Sequence, residues 1–440
     1  MNVHLPPTPY STAVILAAGS GLRLGRRCKP LAVVAGRTLL ERTVLTLRAA
    51  GVDRIVVVIG HEKDTVRAFV EKRGLDVELV ENDGFLAGNG SSALVGGRAA
   101  ASRFLLTMVD HVFESESIAR MLESDAPFVA AVDTRPRFCD VAEATKVRLA
   151  GSKILAVGRD LDPFDAVDGG LFVCDADVLR VAERAVASGE GTWNAIKRRA
   201  LAEGHEIEAV DLAGAFWLDV DTPAEARRAE RFLVRRAARK AHDGPVARAV
   251  NRRLSWPMSL LLLRAGVSPN GATLIAFGLA IAAAGVLALG AISAVALVIG
   301  GVFVQLASIV DGADGEIARA SVRSSPAGGF LDSVLDRIGE AAVLTGLAVA
   351  AGLDGWVWLP YAGALVGTLL VPYVKASYEA SFGKAFPAPA YRIGLGHDVR
   401  LLLVAVAAVV VQPAAGLIAL AVLANAEALR RFVAGWRSRG

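Results

Sequence analysis

Apolar residues follow two different patterns along this chain. Up to about residue 230 they form short runs set between polar, helix-length stretches. "STAVILAAGSG", "DRIVVVIG" and "RFLLTMVD" read as buried strands, and "TLLERTVLTLRAAG" between them has helical spacing. Strands alternating with helices predict a mostly parallel sheet covered on both faces. From Asn270 onward the apolar stretches lengthen, to roughly 271–289, 292–310, 329–351, 356–374, 398–412 and 414–429. Several approach the ~20 residues needed to cross hydrocarbon, and the fifth is shorter. The pattern therefore predicts an N-terminal α/β domain followed by an all-α, six-helix transmembrane domain.

Charge adds a boundary and an orientation. "RRAERFLVRRAARKAHDGPVARAVNRR", from Arg227 to Arg253, holds ten Arg or Lys. A solvated helix face and a nucleic-acid patch are alternatives. A juxtamembrane segment fits best, because basic residues just ahead of an apolar region are drawn to anionic lipid by about 1 kcal/mol each. This gives residues 1–230 as the first domain, 231–256 as a basic linker and 257–440 as the membrane domain, with no nucleic-acid partner. Within the last, the connections "LGAIS", "AGLDGW" and "VQPAAG" carry no Lys or Arg, whereas Arg319, Arg323, Lys375, Lys384, Arg392 and Arg400 lie on the opposite side. By the positive-inside rule that side is cytoplasmic, with both termini and both candidate sites. The overall net charge of +4 is modest, and the excess behind the 54% hydrophobic content lies mostly after Pro257. Cys28, Cys139 and Cys174 match no metal or redox spacing and suit buried positions in a reducing compartment. "MNVHLPPTPYST" lacks a basic region followed by an apolar core, so no secretory signal is expected.

The first chemical motif is "LAAGSGLRLGRRCKP", Leu16 to Pro30. A glycine turn after a strand brings backbone N–H groups close to phosphate. It is neither a P-loop nor the dinucleotide G-x-G-x-x-G pattern. It resembles the signature of the nucleotidyltransferases that make nucleotide sugars and CDP-alcohols, a Rossmann-like family, over roughly residues 11 to 230. The resemblance implies that Gly19, Ser20 and Gly21 wrap the triphosphate of CTP, that Arg23 neutralises the leaving pyrophosphate, and that Lys29 holds the α-phosphate region. It also implies metal binding by Asp110 in "LLTMVDHVF" and Asp219 in "FWLDVDTP", with Asp221 as a further partner. For Asp219 to Thr222 the alternative is a helix N-cap before "PAEARRAERF". "EATKVRLAGSKILAVGRDLDPFDAVDGG" looks like the inositol-1-phosphate cytidylyltransferase branch. There Lys146 would contact the acceptor phosphate, with Glu143 a weaker candidate; an exposed strand lysine is the plain alternative.

The second motif lies between apolar stretches, "DGADGEIARASVRSSPAGGFLDSVLD", Asp311 to Asp336. Asp311 and Asp314 are three apart, Asp332 and Asp336 four apart, so on helices each pair shares a face. A carboxylate inside a membrane costs at least roughly 2.5–3.5 kcal/mol, which marks these four as functional. Two facing pairs make a cage for hard cations. The EF-hand spacing is absent, and a proton relay would leave Gly315 and Gly328 without a purpose. The spacing resembles the CDP-alcohol phosphotransferase signature over about residues 243 to 432. That family implies six membrane helices and a homodimer through them. It also implies two divalent ions, Mg²⁺ or Mn²⁺, on Asp311, Asp314, Asp332 and Asp336. Asp336 would be the general base, Gly315 would let the nucleotide approach the backbone, Arg319 would meet its phosphates, and Asn270 and Thr273 would line the cytidine side. Arg323, Lys375, Arg392 and Arg400 are candidates for a phosphorylated acceptor; positive-inside charge is their alternative.

Together the halves resemble the bifunctional inositol-1-phosphate cytidylyltransferase and di-myo-inositol-phosphate phosphate synthase family. The resemblance implies that CTP and inositol 1-phosphate give a CDP-alcohol, which a second inositol 1-phosphate then consumes at a lipid bilayer. One alternative keeps both reactions with another phosphorylated alcohol or a lipid acceptor. Another is a sugar nucleotidyltransferase on a non-catalytic membrane anchor.

Overall fold

A computed structural model describes residues 12–21, 28–239, 252–353, 355–387 and 395–438. The chain forms two compact units, Met1–Glu230 and Arg231–Gly440.

In the first unit the strands are β1 (Thr12–Leu16), β2 (Val33–Val34), β3 (Arg37–Thr38), β4 (Arg54–Ile59), β5 (Glu78–Glu81), β6 (Phe104–Met108), β7 (His111–Phe113), β8 (Phe128–Asp133), β9 (Lys146–Ala150), β10 (Lys153–Gly158), β11 (Ala166–Cys174), β12 (Glu208–Asp211) and β13 (Trp217–Asp219). The helices are α1 (Leu39–Ala49), α2 (Lys63–Arg73), α3 (Asn89–Ala100), α4 (Ser115–Leu122), α5 (Ala176–Ala187), α6 (Trp193–Ala202) and α7 (Pro223–Ala237), whose residues after Glu230 belong to the second unit. Nine strands make one sheet in the order β5-β4-β1-β6-β11-β8-β12-β10-β9. β5, β4, β1 and β6 are parallel, as is the β8–β12 pair. The expected parallel character holds there. β11 lies antiparallel between β6 and β8, and β10 is antiparallel to both β12 and β9. Apolar runs mark a doubly covered strand but do not encode its direction. Val14, Val56, Leu106, Phe128 and Phe172 form the buried core with Val178, Val181 and Ile196 of α5 and α6. α1 starts where a capping box allows: Thr38 Oγ1 accepts from Glu41 N at 3.1 Å, and Glu41 Oε2 accepts from Thr38 N at 3.3 Å.

The second unit is helical: α8 (Arg252–Arg264), α9 (Pro269–Ala288), α10 (Ala294–Ala320), α11 (Pro326–Ala350), α12 (Trp358–Phe382), α13 (His397–Val409) and α14 (Pro413–Arg437). The six apolar stretches fall within α9 to α14, one to each helix, with a few residues running past the helix ends. α9 and α11 begin alike: Ser268 and Ser325 accept from Gly271 N and Gly328 N, and proline takes the first helical position. α9 packs on α10 and α11, α10 on α13 and α8, and α12 on α14. Among the described residues, three segments are long and apolar enough to cross a membrane: Pro269–Ala291, Ala294–Ala320 and Gly355–Phe382. α11 carries Asp332, Asp336, Arg337 and Glu340, and the 13 residues of α13 reach only about 20 Å. Leu274, Ile281, Ile299, Val302, Leu369 and Val422 point outward from these helices, the face that a membrane-associated bundle presents to lipid.

Candidate active sites

The first site opens where β1 and β6 end. Their final residues lead to the glycine loop on one side and to Val109–Asp110 on the other, with Val109 N bonded to Leu16 O at 3.1 Å. Gly19, Ser20, Gly21, Lys29, Phe85, Asn89 and Asp110 border a cleft of about 430 Å³. Gly21 has φ +61°, and a Cβ there would lie 2.3 Å from Lys29 Cβ, so the turn and the lysine exclude any side chain. Lys29 Nζ donates to Asp110 Oδ2 and to Asp221 Oδ1. Asp110 also accepts from His111 Nδ1 at 2.7 Å, and His111 Nδ1 lies 4.0 Å from Asp219 Oδ1.

Asp219 Oδ1 is sealed from solvent and has no hydrogen-bond partner, although its carboxyl is partly exposed. Donor atoms of Asp110, His111 and Asp219 all lie within 4.8 Å of one another. An orphaned carboxylate oxygen beside a second carboxylate is what a divalent cation would satisfy. The electrostatics agree. Burial and the neighbouring Asp110 charge push the Asp219 carboxyl up to about 6. Burial lowers His111, but Asp219 and Asp110 outweigh it and raise the imidazole to about 9. Burial raises Asp110, yet Lys29 and His111 hold it well below the usual carboxylate range. Asp221 does not cap α7; Thr222 and Glu225 do, with Glu225 Oε2 accepting from Thr222 N at 2.7 Å.

A second lobe of about 640 Å³ shares Lys29, Asp110 and Asp221 and extends to Glu143, Arg159, Asp168, Lys197 and Arg198. Lys197 is 1% exposed, donates to Asp168 and lies 5.1 Å over the Phe172 ring. Lys146 is not part of this lining among the described residues; its ammonium sits 5.4 Å over the Phe164 ring. Arg23 lies outside the described residues.

The second site is built by α10 and α11. Donor atoms of Asp311, Asp314 and Asp332 come within 4.8 Å of one another, as do those of Asp311, Asp336 and His397. Asp311 is common to both groups. Among the described residues neither Asp311 nor Asp314 has an ion-pair partner, so the carboxylates fit a pair of divalent cations. Thr273 Oγ1 donates to Asp314 Oδ2 at 2.6 Å. Asn270 is exposed, and its Oδ1 faces Gly328 across α9 and α11. Arg319 is exposed beside Gly315 and donates through Nε to Ala237 O at 3.0 Å. Arg323 is half-buried just past α10, and Lys375 has Glu379 at 3.9 Å along α12. Arg400 is buried: Nε and NH2 bind Glu340 at 2.6 and 2.9 Å, and NH1 binds Leu395 O at 2.9 Å. Its guanidinium thus holds α13 to α11. Arg392 lies outside the described residues.

Sequence reasoning missed His111, the Asp168–Lys197 pair, Glu340 and His397. Two signals were present. His111 adjoins Asp110, and Glu340 continues the four-residue series Asp332, Asp336 on the same face of α11.

Residues 13–169 match the MobA-like NTP transferase domain, and residues 267–429 match the CDP-alcohol phosphatidyltransferase family. The bifunctional IPC transferase and DIPP synthase of Rubrobacter xylanophilus is 46% identical, with 97% of each chain covered. The protein of the same name from Thermococcus kodakarensis is 36% identical over 84% of this chain and 83% of its own. The one from Aquifex aeolicus is 30% identical over 98% and 99%. With both halves matched in one alignment, this chain belongs to the family of bifunctional IPC transferases and DIPP synthases.

Proposed function

We propose that the chain catalyses two consecutive transfers. In the first, a phosphate oxygen of inositol 1-phosphate attacks the α-phosphorus of CTP; the bond to the β-phosphate breaks, giving CDP-inositol and pyrophosphate. In the second, a hydroxyl of another inositol 1-phosphate attacks the phosphorus attached to inositol in CDP-inositol. The hydroxyl proton leaves to a base, CMP departs, and phosphorylated di-myo-inositol phosphate forms. The observation that carries this reading is two carboxylate clusters in one chain, one beside a glycine loop and Lys29, the other on α10 and α11.

In the first site, residues 1–230, Gly19 to Gly21 present backbone N–H groups to the triphosphate, and Lys29 and Arg23 neutralise charge on the α-phosphate and the leaving group. The 640 Å³ lobe takes the polyol phosphate. In the second site, residues 257–440, Asp336 accepts the hydroxyl proton, Thr273 and Asn270 line the cytidine side, and Arg319 meets the nucleotide phosphates. Asp110 with Asp219, and Asp311, Asp314, Asp332 with Asp336, would hold Mg²⁺ or Mn²⁺, which supplies positive charge to the phosphoryl oxygens when bound. Residues 231–256 join the two as a basic linker. Alternate loops without Lys or Arg support a multi-pass arrangement with both termini and both sites on the cytoplasmic side.

The test is pyrophosphate and CMP release by the full chain in detergent, given CTP, Mg²⁺ and a panel of sugar and polyol phosphates. Pyrophosphate with inositol 1-phosphate, followed by CMP, is expected. Preference for another polyol phosphate would replace inositol, and pyrophosphate without CMP for any acceptor would make the helical unit an anchor.

A further inference from the structure

The second site contains a group outside the aspartate motif. His397 opens α13, and its Nε2 stands 3.9 Å from Asp336 Oδ1. That is too far for a hydrogen bond. Its Nδ1 lies 3.3 Å from Glu340 Oε2. Glu340 is itself fixed: Arg400 grips both carboxylate oxygens, and Arg337 NH1 adds a contact at 3.1 Å. Glu340 and Arg400 are 4% and 2% exposed, so this clamp is part of the buried packing between α11 and α13. With the Nδ1 proton given to Glu340, Nε2 keeps its lone pair and turns it toward Asp336 and Asp311.

A cavity of about 30 Å³ lies among Thr273, Asp311, Asp336, Glu340 and His397. That is room for an ion-sized guest. Atoms bound to one ion at about 2.1 Å are about 3 Å apart when adjacent and about 4.2 Å apart when opposite. The 3.9 Å gap falls inside that range, whereas a hydrogen-bonded pair would have closed it. A carboxylate behind a ligating imidazole fixes the tautomer and the ring orientation, and Glu340 occupies that place.

We propose that His397 is a nitrogen ligand to a divalent cation shared with Asp311 and Asp336, with Glu340 as the carboxylate that orients it. The inference rests on the reading that the aspartates hold cations. The two ion positions then differ. Asp311, Asp314 and Asp332 form an all-oxygen position, and Asp311, Asp336 and His397 form a mixed one. Imidazole favours Mn²⁺ over Mg²⁺, so the mixed position discriminates between them.

The test is pulsed EPR on the full-length protein in detergent, loaded with Mn²⁺ and labelled with ¹⁵N-histidine. His111→Gln is included throughout to remove the imidazole of the first site. The expected result is a histidine ¹⁵N coupling to Mn²⁺ that His397→Gln abolishes. His397→Gln should also weaken Mn²⁺ binding by about tenfold or more, and Mg²⁺ binding by less. His397→Asp should restore Mn²⁺ affinity without the nitrogen coupling, a rescue that a purely structural role would not give. Mn²⁺ bound in an Asp311-dependent way, but with no histidine coupling or one that survives His397→Gln, overturns the assignment of His397. Mn²⁺ binding that ignores Asp311→Asn overturns the cation reading itself, and the assignment with it.

Discussion

Gly170→Ala tests the geometry of the first site at one atom. Gly170 has φ +75°, and a Cβ built there would lie 2.2 Å from His111 Nε2 and 2.3 Å from Cδ2. The left-handed backbone costs an L-residue about 1–2 kcal/mol. For a unit of this size each kcal/mol lowers Tm by about 2–4 °C, so the first unit should melt about 2–8 °C lower. The larger effect is local. Reaching ordinary van der Waals contact, about 3.4 Å, requires the ring to retreat by about 1.2 Å from its 2.2 Å approach. The ring is stacked on Trp217 at 6.3 Å and on Phe113 at 5.9 Å, which leaves sliding along those faces as its escape. The pressed Nε2–Cδ2 edge lies opposite Nδ1 in the ring, so sliding by that much drives Nδ1 against Asp110, now 2.7 Å away, and the contact loses its geometry. A displacement of about 1 Å in a catalytic constellation costs roughly 10²-fold in rate. The assay is pyrophosphate release from CTP and inositol 1-phosphate, with Tm measured alongside and CMP release from supplied CDP-inositol as the internal control. A lowered Tm with wild-type pyrophosphate release would refute a role for the His111–Asp110 contact. Unchanged values of both would refute the close approach itself.

Three further outcomes follow from the same geometry. Asp110→Ala should abolish pyrophosphate release yet leave CMP release from supplied CDP-inositol intact; loss of both in a folded protein would contradict two separate sites. In EDTA, the first unit should lose up to about 3 kcal/mol as pH rises from 6.5 to 9, because His111 has its folded-state value raised to about 9 and its stabilisation vanishes as the proton leaves. His111→Gln should flatten that slope in a Tm–pH series, and an unchanged slope would assign it to other groups. Asp336→Asn should keep CDP-alcohol binding but slow transfer about 10²–10⁴-fold without rescue by Mg²⁺, whereas Asp311→Asn should be partly rescued; equal rescue across a magnesium titration would remove Asp336 as the base.

The parts of the sites legible in the sequence are those where chemistry fixes residue type and spacing together. Gly19, Ser20 and Gly21 follow β1 directly and Lys29 comes eight residues later, and each aspartate pair of the second motif spans about one helical turn, so short spacing in the sequence places them. Asp168 meets Lys197, Glu340 meets Arg400, and Asp336 approaches His397 only because separate elements pack together, and no local spacing encodes that. Arg400 shows the limit most directly. Its position beside a charged loop suits a positive-inside charge or an acceptor contact, while its burial and its grip on Glu340 are set by how α13 lies on α11. The same holds for the sheet: runs such as "AVDGGLFVC" announce a buried strand, but the antiparallel placement of β11 depends on the path of the connection before it.

The two sites meet one physical problem, clustered carboxylates in poor solvent, in different ways. In the first, Lys29 bridges Asp110 and Asp221, and His111 stands between Asp110 and Asp219, so two side-chain cations already compensate three carboxylates. Such a site keeps its shape without an ion, and a bound cation has only the orphaned Asp219 oxygen and the remaining lone pairs to capture. In the second, Arg337 contacts Asp336 at 3.3 Å, and Arg400 is committed to Glu340. Among the described residues Asp311 and Asp314 have no ion-pair partner, and like charges this close repel strongly in a low-dielectric setting. A bound divalent cation would supply that compensation. The helical unit should therefore depend on divalent cations for its local order far more than the α/β unit does. Hydrogen exchange with and without EDTA would register this as loosening of α10 and α11 around the aspartates, with β1 and β6 unchanged.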